Sequence, residues 1–313
     1  MTPTAVAPPE DLLSVADWTT AQIEELFGLA TEIKRSPERY ENALRGRILA
    51  MIFEKPSLRT RVTFEVGMLQ LGGSAVYLDQ SQSRLGARES ISDVAHNLER
   101  WVDGVVARTF SHEAVEELAA AADIPVINAL TDRLHPCQAL GDFFTLREKL
   151  GHTAHFKFVF VGDGNNVCHS LLHTAARLGG WMGVATPPGY EPDAPILAEA
   201  QSMARATGCK IELTHDPVEA VKGAQAVYTD VWASMGQEQE AAARKSIFQP
   251  YQVNEALMAH GARGAFFMHC LPAHRGEEVS DAVIDAPTSI VFDQAENRLH
   301  VQKAILLMLL SRS

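Results

Sequence analysis

Two successive runs of alternating strand-like and helix-like segments predict an α/β protein. It consists of two doubly wound domains, each a parallel sheet flanked by helices. Three observations carry the prediction. Short apolar runs rich in Val, Ile and Phe recur along the whole chain, and the stretches between them carry apolar residues at helical spacing. The alternation is interrupted at GHTAH, 151–155, which reads as a linker. A length of 313 residues is comfortable for two domains, here expected at 1–150 and 151–313.

The elements follow in order. RILAMIF, ending at Phe53, reads as a buried strand. Val62, Val66 and Leu69 then fall at helical spacing, as do Phe64, Met68 and Leu71, until Gly72 and Gly73 stop the helix. Further strands are expected at SAVYLD (74–79), DGVVAR (103–108) and IPVINA (124–129), separated by helices near Ile91–Val102 and Glu113–Ala122. A longer helix follows Pro136 and reaches about Leu150. The second run has strands at FKFVFVGD (156–163), GVAT (183–186), CKIELT (209–214), AQAVYTD (224–230), AFFMHC (265–270) and SIVFD (289–293). Helices are expected from about Asn166 and near Ala194–Ala206. A final helix, about 294–311, is apolar on much of its surface.

Composition narrows the function. The net charge of −12 argues against a nucleic-acid surface and against an anionic membrane surface, though a local basic pocket for a small anion remains compatible with it. The longest apolar runs, such as Ala304 to Leu310, are too short to span a bilayer. The opening MTPTAVAPPEDLL has neither a basic region nor a long apolar core, so it reads as a disordered leader of about ten residues rather than a secretory signal. Cys137, Cys168, Cys209 and Cys270 show no CxxC pairing, which suggests free thiols and the cytoplasm.

In open α/β sheets, ligands sit beyond the carboxyl ends of the strands. The segments there are EKPSLRT, RTFSH, LTDRLHPCQ, GDGNN, TDVWASMG and HCLPAHRGEE, six polar clusters at six equivalent places. Ser57 is placed to cap a helix, so that the N–H groups of Leu58, Arg59 and Thr60 face outward at its positive end. With the Ser57, Arg59 and Thr60 side chains they form a cradle for an oxyanion; an ordinary capped helix with a solvated basic face is the other reading. Arg108, His135 and Gln138 follow two other strands and suit a carbonyl and the oxyanion that develops from it. His135 before Pro136 also fits a purely structural helix start. GDGNN lacks the third glycine of a dinucleotide loop, which weighs against a nicotinamide-dependent dehydrogenase.

FEKPSLRTR, RTFSH, HPCQALGD, GDGNN, DVWASMG, HCLPAHRGEEVSD and AENRLHVQKA together resemble the ornithine carbamoyltransferases of the aspartate/ornithine carbamoyltransferase family, in family order and over nearly the whole chain. The resemblance implies that Ser57, Leu58, Arg59 and Thr60 hold the phosphate of carbamoyl phosphate. Arg108, His135 and Gln138 would orient its carbamoyl group, and Arg298 would complete the site from a final helix that packs back on the first domain. Leu58 stands where these enzymes usually carry threonine. Arg84, in the loop after the second strand, matches the position that reaches a neighbouring subunit, with Gln82 as a competitor; a mobile surface loop is the plain alternative. Asn166, Asp230, Ser234 and Met235 would grip ornithine, Asn166 doubling as a helix cap. The Cys270 sulfur and the Leu271 carbonyl would lie beside the carbamoyl nitrogen and the ornithine δ-amine.

The implied reaction is attack of the neutral δ-amine of L-ornithine on carbamoyl phosphate, with Thr60, Arg108, His135 and Cys270 in catalytic roles. It gives citrulline and phosphate, in arginine biosynthesis or citrulline breakdown, with carbamoyl phosphate bound first. No cofactor is expected, and the spacing of His269, Cys270 and His274 fits no regular zinc pattern. The expected assembly is a homotrimer with shared sites. Alternatives are a carbamoyltransferase for N-acetylornithine, putrescine or aspartate, or a silent paralogue that binds carbamoyl phosphate.

Overall fold

The computed structural model describes residues 9–80, 84–152, 154, 156–233 and 240–311. The chain divides into two compact units, Met1–Gly141 with Glu296–Ser313, and Asp142–Ala295. The expected leader falls mostly on residues 1–8, outside the described residues.

The first unit holds α1 (Thr20–Arg35), β1 (Ile48–Phe53), α2 (Leu58–Gln70), β2 (Ser74–Asp79), α3 (Ile91–Leu98), β3 (Gly104–Arg108), α4 (His112–Ala121) and β4 (Val126–Leu130). Its four strands pair in parallel, in the order β2-β1-β3-β4. The inner strands β1 and β3 are buried almost throughout, which is why they read as continuous apolar runs. Strand β2 lies at the edge and shows more exposure, with Val76 open to solvent. Helix α1, not among the expected elements, buries Ile23, Leu26, Phe27, Ala30 and Ile33 and starts with a Thr19–Gln22 capping box.

Helix α5 (Pro136–Leu150) begins in the first unit and ends in the second, and α12 (Val291–Leu310) runs the other way. Within the first unit α12 packs on α2. Gly67 permits the approach, since a Cβ there would lie 3.3 Å from Lys303 Cγ.

The second unit holds β5 (Lys157–Val161), α6 (Asn166–Leu178), β6 (Trp181–Ala185), α7 (Ala194–Thr207), β7 (Lys210–Thr214), α8 (Pro217–Val221), β8 (Ala226–Thr229), α9 (Ala241–Phe248), α10 (Glu255–Met258), β9 (Phe266–His269) and α11 (Asp281–Ile284). Its five strands are also parallel, in the order β7-β6-β5-β8-β9. Helix α6 is buried nearly all round, and its two histidines are spent on structure. His169 Nε2 accepts the Asp193 N–H at 3.0 Å, and His173 Nε2 lies 3.1 Å from Glu199.

The strand expected at SIVFD is a correction. Ser289 makes only an isolated bridge to Phe267, and Val291 already opens α12. A short apolar run does not distinguish strand from helix by itself. Here the Gln294 N–H closes a helical bond to the Ile290 carbonyl at 2.9 Å.

Candidate active site

In the first unit, Ser57 caps α2 and its Oγ accepts the Thr60 N–H at 3.3 Å. The Thr60 N–H is therefore committed to its own cap, which narrows the expected set of outward donors. Thr60 is buried, and its Oγ1 accepts from Arg298 Nη2 at 2.7 Å. Arg298 comes from α12 and is itself 3% exposed. Gly141 on α5 lies against it: a Cβ there would sit 3.4 Å from Arg298 Cγ, at ordinary van der Waals contact.

Arg108 ends β3 where the β3–β4 register shifts, and is buried. His135 is buried just before α5, and its carbonyl accepts the Gln138 N–H at 3.1 Å. Burial holds the His135 imidazole well below its ordinary pKa, and the positive charges of Arg298, Arg108 and Arg59 push the same way. At neutral pH this ring is uncharged and keeps one N–H to donate. Gln138 is buried as well, while Leu58 is 76% exposed and turns its side chain to solvent.

Arg84 is exposed, and its guanidinium lies over the Phe110 ring of its own chain, 4.7 Å from the centroid. Lys55 Nζ lies 4.3 Å from the same centroid. Burial lowers the Lys55 pKa, with Arg108 adding to the effect. Glu54, Lys55 and Phe110 stand inside EKPSLRT and RTFSH, beside the residues expected to act. For Glu54 and Lys55 the signal in the sequence is charge placed directly after a buried apolar strand; Phe110 carries no such signal. Gln82 lies outside the described residues.

In the second unit, Asp230 follows β8 and is buried. Its Oδ1 accepts the Val231 N–H at 2.8 Å and the Cys270 thiol at 2.9 Å. Its Oδ2 accepts from Asn165 Nδ2 at 2.8 Å. Burial, then the Asp230 charge, raise the Cys270 pKa well above that of a free thiol, so the sulfur keeps its proton. Asn165, not Asn166, caps α6, accepting the Val167 and Cys168 N–H groups at 3.0 and 3.2 Å. Asn166 is the first helical residue and half-buried; with two asparagines in a row, sequence spacing could not choose between them.

Leu271 has φ 58, a left-handed conformation that costs a non-glycine residue about 1–3 kcal/mol. Its N–H donates to His269 Nδ1 at 2.8 Å, so His269 carries its proton on Nε2, 3.1 Å from Glu278 Oε1. His269 and Glu278 are fully buried. Asp230, His269 and Cys270 have donor atoms within 4.8 Å of one another. Those atoms are already spoken for: the thiol on Asp230, the His269 nitrogens on Leu271 and Glu278. The set suits hydrogen bonding better than a resident metal.

Asp163 of the GDGNN turn pairs with Arg244 Nη1 at 2.9 Å, and burial nonetheless raises its pKa to about 6. Arg244 also donates to the Trp232 carbonyl at 3.0 Å and to Glu240 at 3.0 Å, and lies over Tyr190. Ser234 and Met235 fall outside the described residues.

Residues 10–148 match the sequence family described as the carbamoyl-P binding domain of aspartate/ornithine carbamoyltransferase, and residues 154–309 match its Asp/Orn binding domain. The ornithine carbamoyltransferase of Methanothermobacter thermautotrophicus is 56% identical over 295 residues, spanning 94% of this chain and 97% of that protein. The anabolic ornithine carbamoyltransferase of Pyrococcus furiosus is 52% identical over 302 residues, spanning 96% of each. The solved structure of ornithine carbamoyltransferase from Pyrococcus furiosus superposes with a TM-score of 0.94 at 50% identity, covering 98% of this chain and 99% of that one. With both halves matched in order and the relatives covered almost end to end, the chain belongs to the aspartate/ornithine carbamoyltransferase family.

Proposed function

We propose that the protein transfers the carbamoyl group of carbamoyl phosphate to the δ-amine of L-ornithine, giving L-citrulline and phosphate. The observation that carries this reading is the cluster around His135: a neutral, buried imidazole among Arg59, Arg108 and Arg298, beside the Ser57-capped end of α2. Such a cluster suits a doubly charged phosphate and an oxyanion on the adjacent carbonyl. The first domain, 1–150, holds carbamoyl phosphate, and 151–313 holds ornithine, except that the final helix serves the first. The anabolic direction of the Pyrococcus furiosus relative makes arginine biosynthesis the favoured setting.

The steps divide by chemistry. Ser57, Arg59, Arg298 and the first turn of α2, including the Leu58 N–H, hold the phosphate. Arg108, the His135 N–H and Gln138 polarise the carbonyl, and with Thr60 they stabilise the tetrahedral oxyanion. Asn166, Asp230, Ser234 and Met235 hold ornithine. Its δ-ammonium must first lose a proton; with a lysine-like pKa of about 10.4, only about one molecule in 2,500 is neutral at pH 7. Asp230 attracts the ammonium, while the Cys270 thiol and the Leu271 carbonyl align the amine and the carbamoyl nitrogen. The amine attacks the carbonyl carbon, one of its protons passes to a phosphate oxygen as the tetrahedral intermediate collapses, and phosphate leaves with the C–O electron pair.

The assembly we favour is a homotrimer. Val62, Leu69 and Val76, exposed on α2 and the edge strand β2, suit burial against another copy. The loop after β2 would complete the neighbouring site. The placement of Arg84 over its own Phe110 favours Gln82 for that reach and Arg84 for its own chain. No helix among the described residues is long and apolar enough to cross a membrane, and all four cysteines are free; a reducing cytoplasm fits both.

The test is carbamoylation with ornithine, N-acetylornithine, putrescine and aspartate offered side by side. Turnover with ornithine alone is expected. Preference for another amine would overturn the acceptor, and no turnover with any of them would overturn the activity.

A further inference from the structure

Glu54 is a buried carboxylate beside the phosphate-holding turn, and the steps above make no use of it. We infer that Glu54 is a positioning residue, which ties the two loops bearing Arg84 and Arg108 to the turn bearing Ser57, Arg59 and Thr60. The inference rests on the reading of that cluster as the carbamoyl-phosphate site.

The tie begins in the main chain. The Glu54 N–H donates to the Arg108 carbonyl at 2.9 Å, carrying the β1–β3 ladder one residue past the end of β1. The side chain then divides its two oxygens between two loops. Oε1 accepts the Leu85 N–H at 2.6 Å, next to Arg84. Oε2 accepts the Phe110 N–H at 2.8 Å, two residues beyond Arg108. Both donors are backbone groups in connecting segments, where the chain has most freedom to lose. A carboxylate accepts at both oxygens, whereas an amide accepts at only one. Phe110, once fixed, is the surface on which Lys55 and Arg84 both rest. One buried negative charge thus sets the position of three cations around the anion site.

Glu54→Gln keeps one acceptor and turns an NH2 toward the other N–H, which releases one loop. Loss of a hydrogen bond to a charged group predicts a KM for carbamoyl phosphate raised about 10- to 100-fold. The KM for ornithine should stay within about twofold and kcat should fall less than the KM rises, since ornithine makes no contact with either loop in this reading. Amide hydrogen exchange at Leu85 or Phe110 should quicken in the variant. Glu54→Asp keeps both oxygens on a shorter stem and should fall between wild type and Glu54→Gln; it carries the test if Glu54→Gln does not fold. An unchanged KM for carbamoyl phosphate in a folded variant, beside an active wild type, would overturn the role of Glu54. So would an equal rise in both KM values. A wild type that does not turn over ornithine and carbamoyl phosphate would instead overturn the reading of the site on which the inference stands.

Discussion

The two units gather opposite charge after their strands. In the first unit, Arg59, Arg108 and Arg298 surround a histidine that burial keeps neutral. In the second, Asp230 and Asp163 dominate, a thiol keeps its proton beside one, and Arg244 is folded back onto the other. Both arrangements start from the same scaffold, a parallel sheet with polar segments after the strands. What differs is how each stabilises buried charge. The first unit gathers like charges, an arrangement that suits an anionic ligand. The second pairs its carboxylates internally, which suits a zwitterion that brings charges of both signs. Charge sign at the strand ends, more than fold, separates the two roles.

The largest blow to this contrast should come from Arg59→Ala. It removes a half-buried cation from the anion cluster, and kcat/KM for carbamoyl phosphate should fall by about 10³ or more. The melting temperature should hold, since Arg59 is not a core residue. Steady-state kinetics with a parallel thermal melt would check both halves, and activity within tenfold of wild type would remove the anion-cradle reading.

Next in size is Arg244→Met in the second unit. It strands the Asp163 carboxylate, and breaking a buried pair costs about 3 kcal/mol or somewhat more. The loss should depend on pH. The folded pKa of Asp163 is about 6, raised by burial above its ordinary 3.8, so its contribution to stability is full below 3.8 and is lost as pH rises through 6. Without Arg244 the folded pKa climbs further. Urea unfolding should therefore show a larger deficit at pH 8 than at pH 5, and Asp163→Asn should flatten that difference.

Asp230→Asn should lower kcat/KM for ornithine about 10²-fold while leaving the KM for carbamoyl phosphate near wild type. A matching loss for both substrates would blur the division of labour.

A smaller effect belongs to His135. Its folded pKa lies well below the unfolded value of about 6.5, so the folded state resists a proton that the unfolded chain accepts. Its stabilising contribution is complete above pH 6.5 and is lost as pH falls toward the folded pKa, by about 1.4 kcal/mol per pH unit at most. The pH slope of unfolding free energy between 7.5 and 5.5 should be shallower in His135→Gln than in wild type. The least effect should come from Leu58→Thr. That side chain is solvent-facing, so stability should change by less than about 0.5 kcal/mol and turnover by less than about twofold. A large gain would mean that the hydroxyl, rather than the backbone N–H, is what this position is for.

Much of this was legible in the chain. The parallel strands could be read because inner strands buried on both faces are apolar throughout, as at β1 and β5. The clusters after them could be read because charge placed directly after an apolar run has few structural excuses. Less legible were features that depend on direction rather than type. Val291 and Phe292 fit a strand or a helix equally well, and it is the helical backbone bonding that opens at Ile290 that places them in α12. Asn165 and Asn166 are identical in kind, and backbone geometry chose the cap.

The sequence by itself thus determined the fold class, the family and the residue types available for an anion and for an amino acid, because periodicity and local composition are one-dimensional properties. Tertiary structure decided which of those residues meet. Arg298 reaches Thr60 across 238 positions, Cys270 finds Asp230 across 40, and Glu54 joins loops 31 and 56 residues away. It also set the protonation of His135 and Cys270, since desolvation exists only once the chain has closed around them.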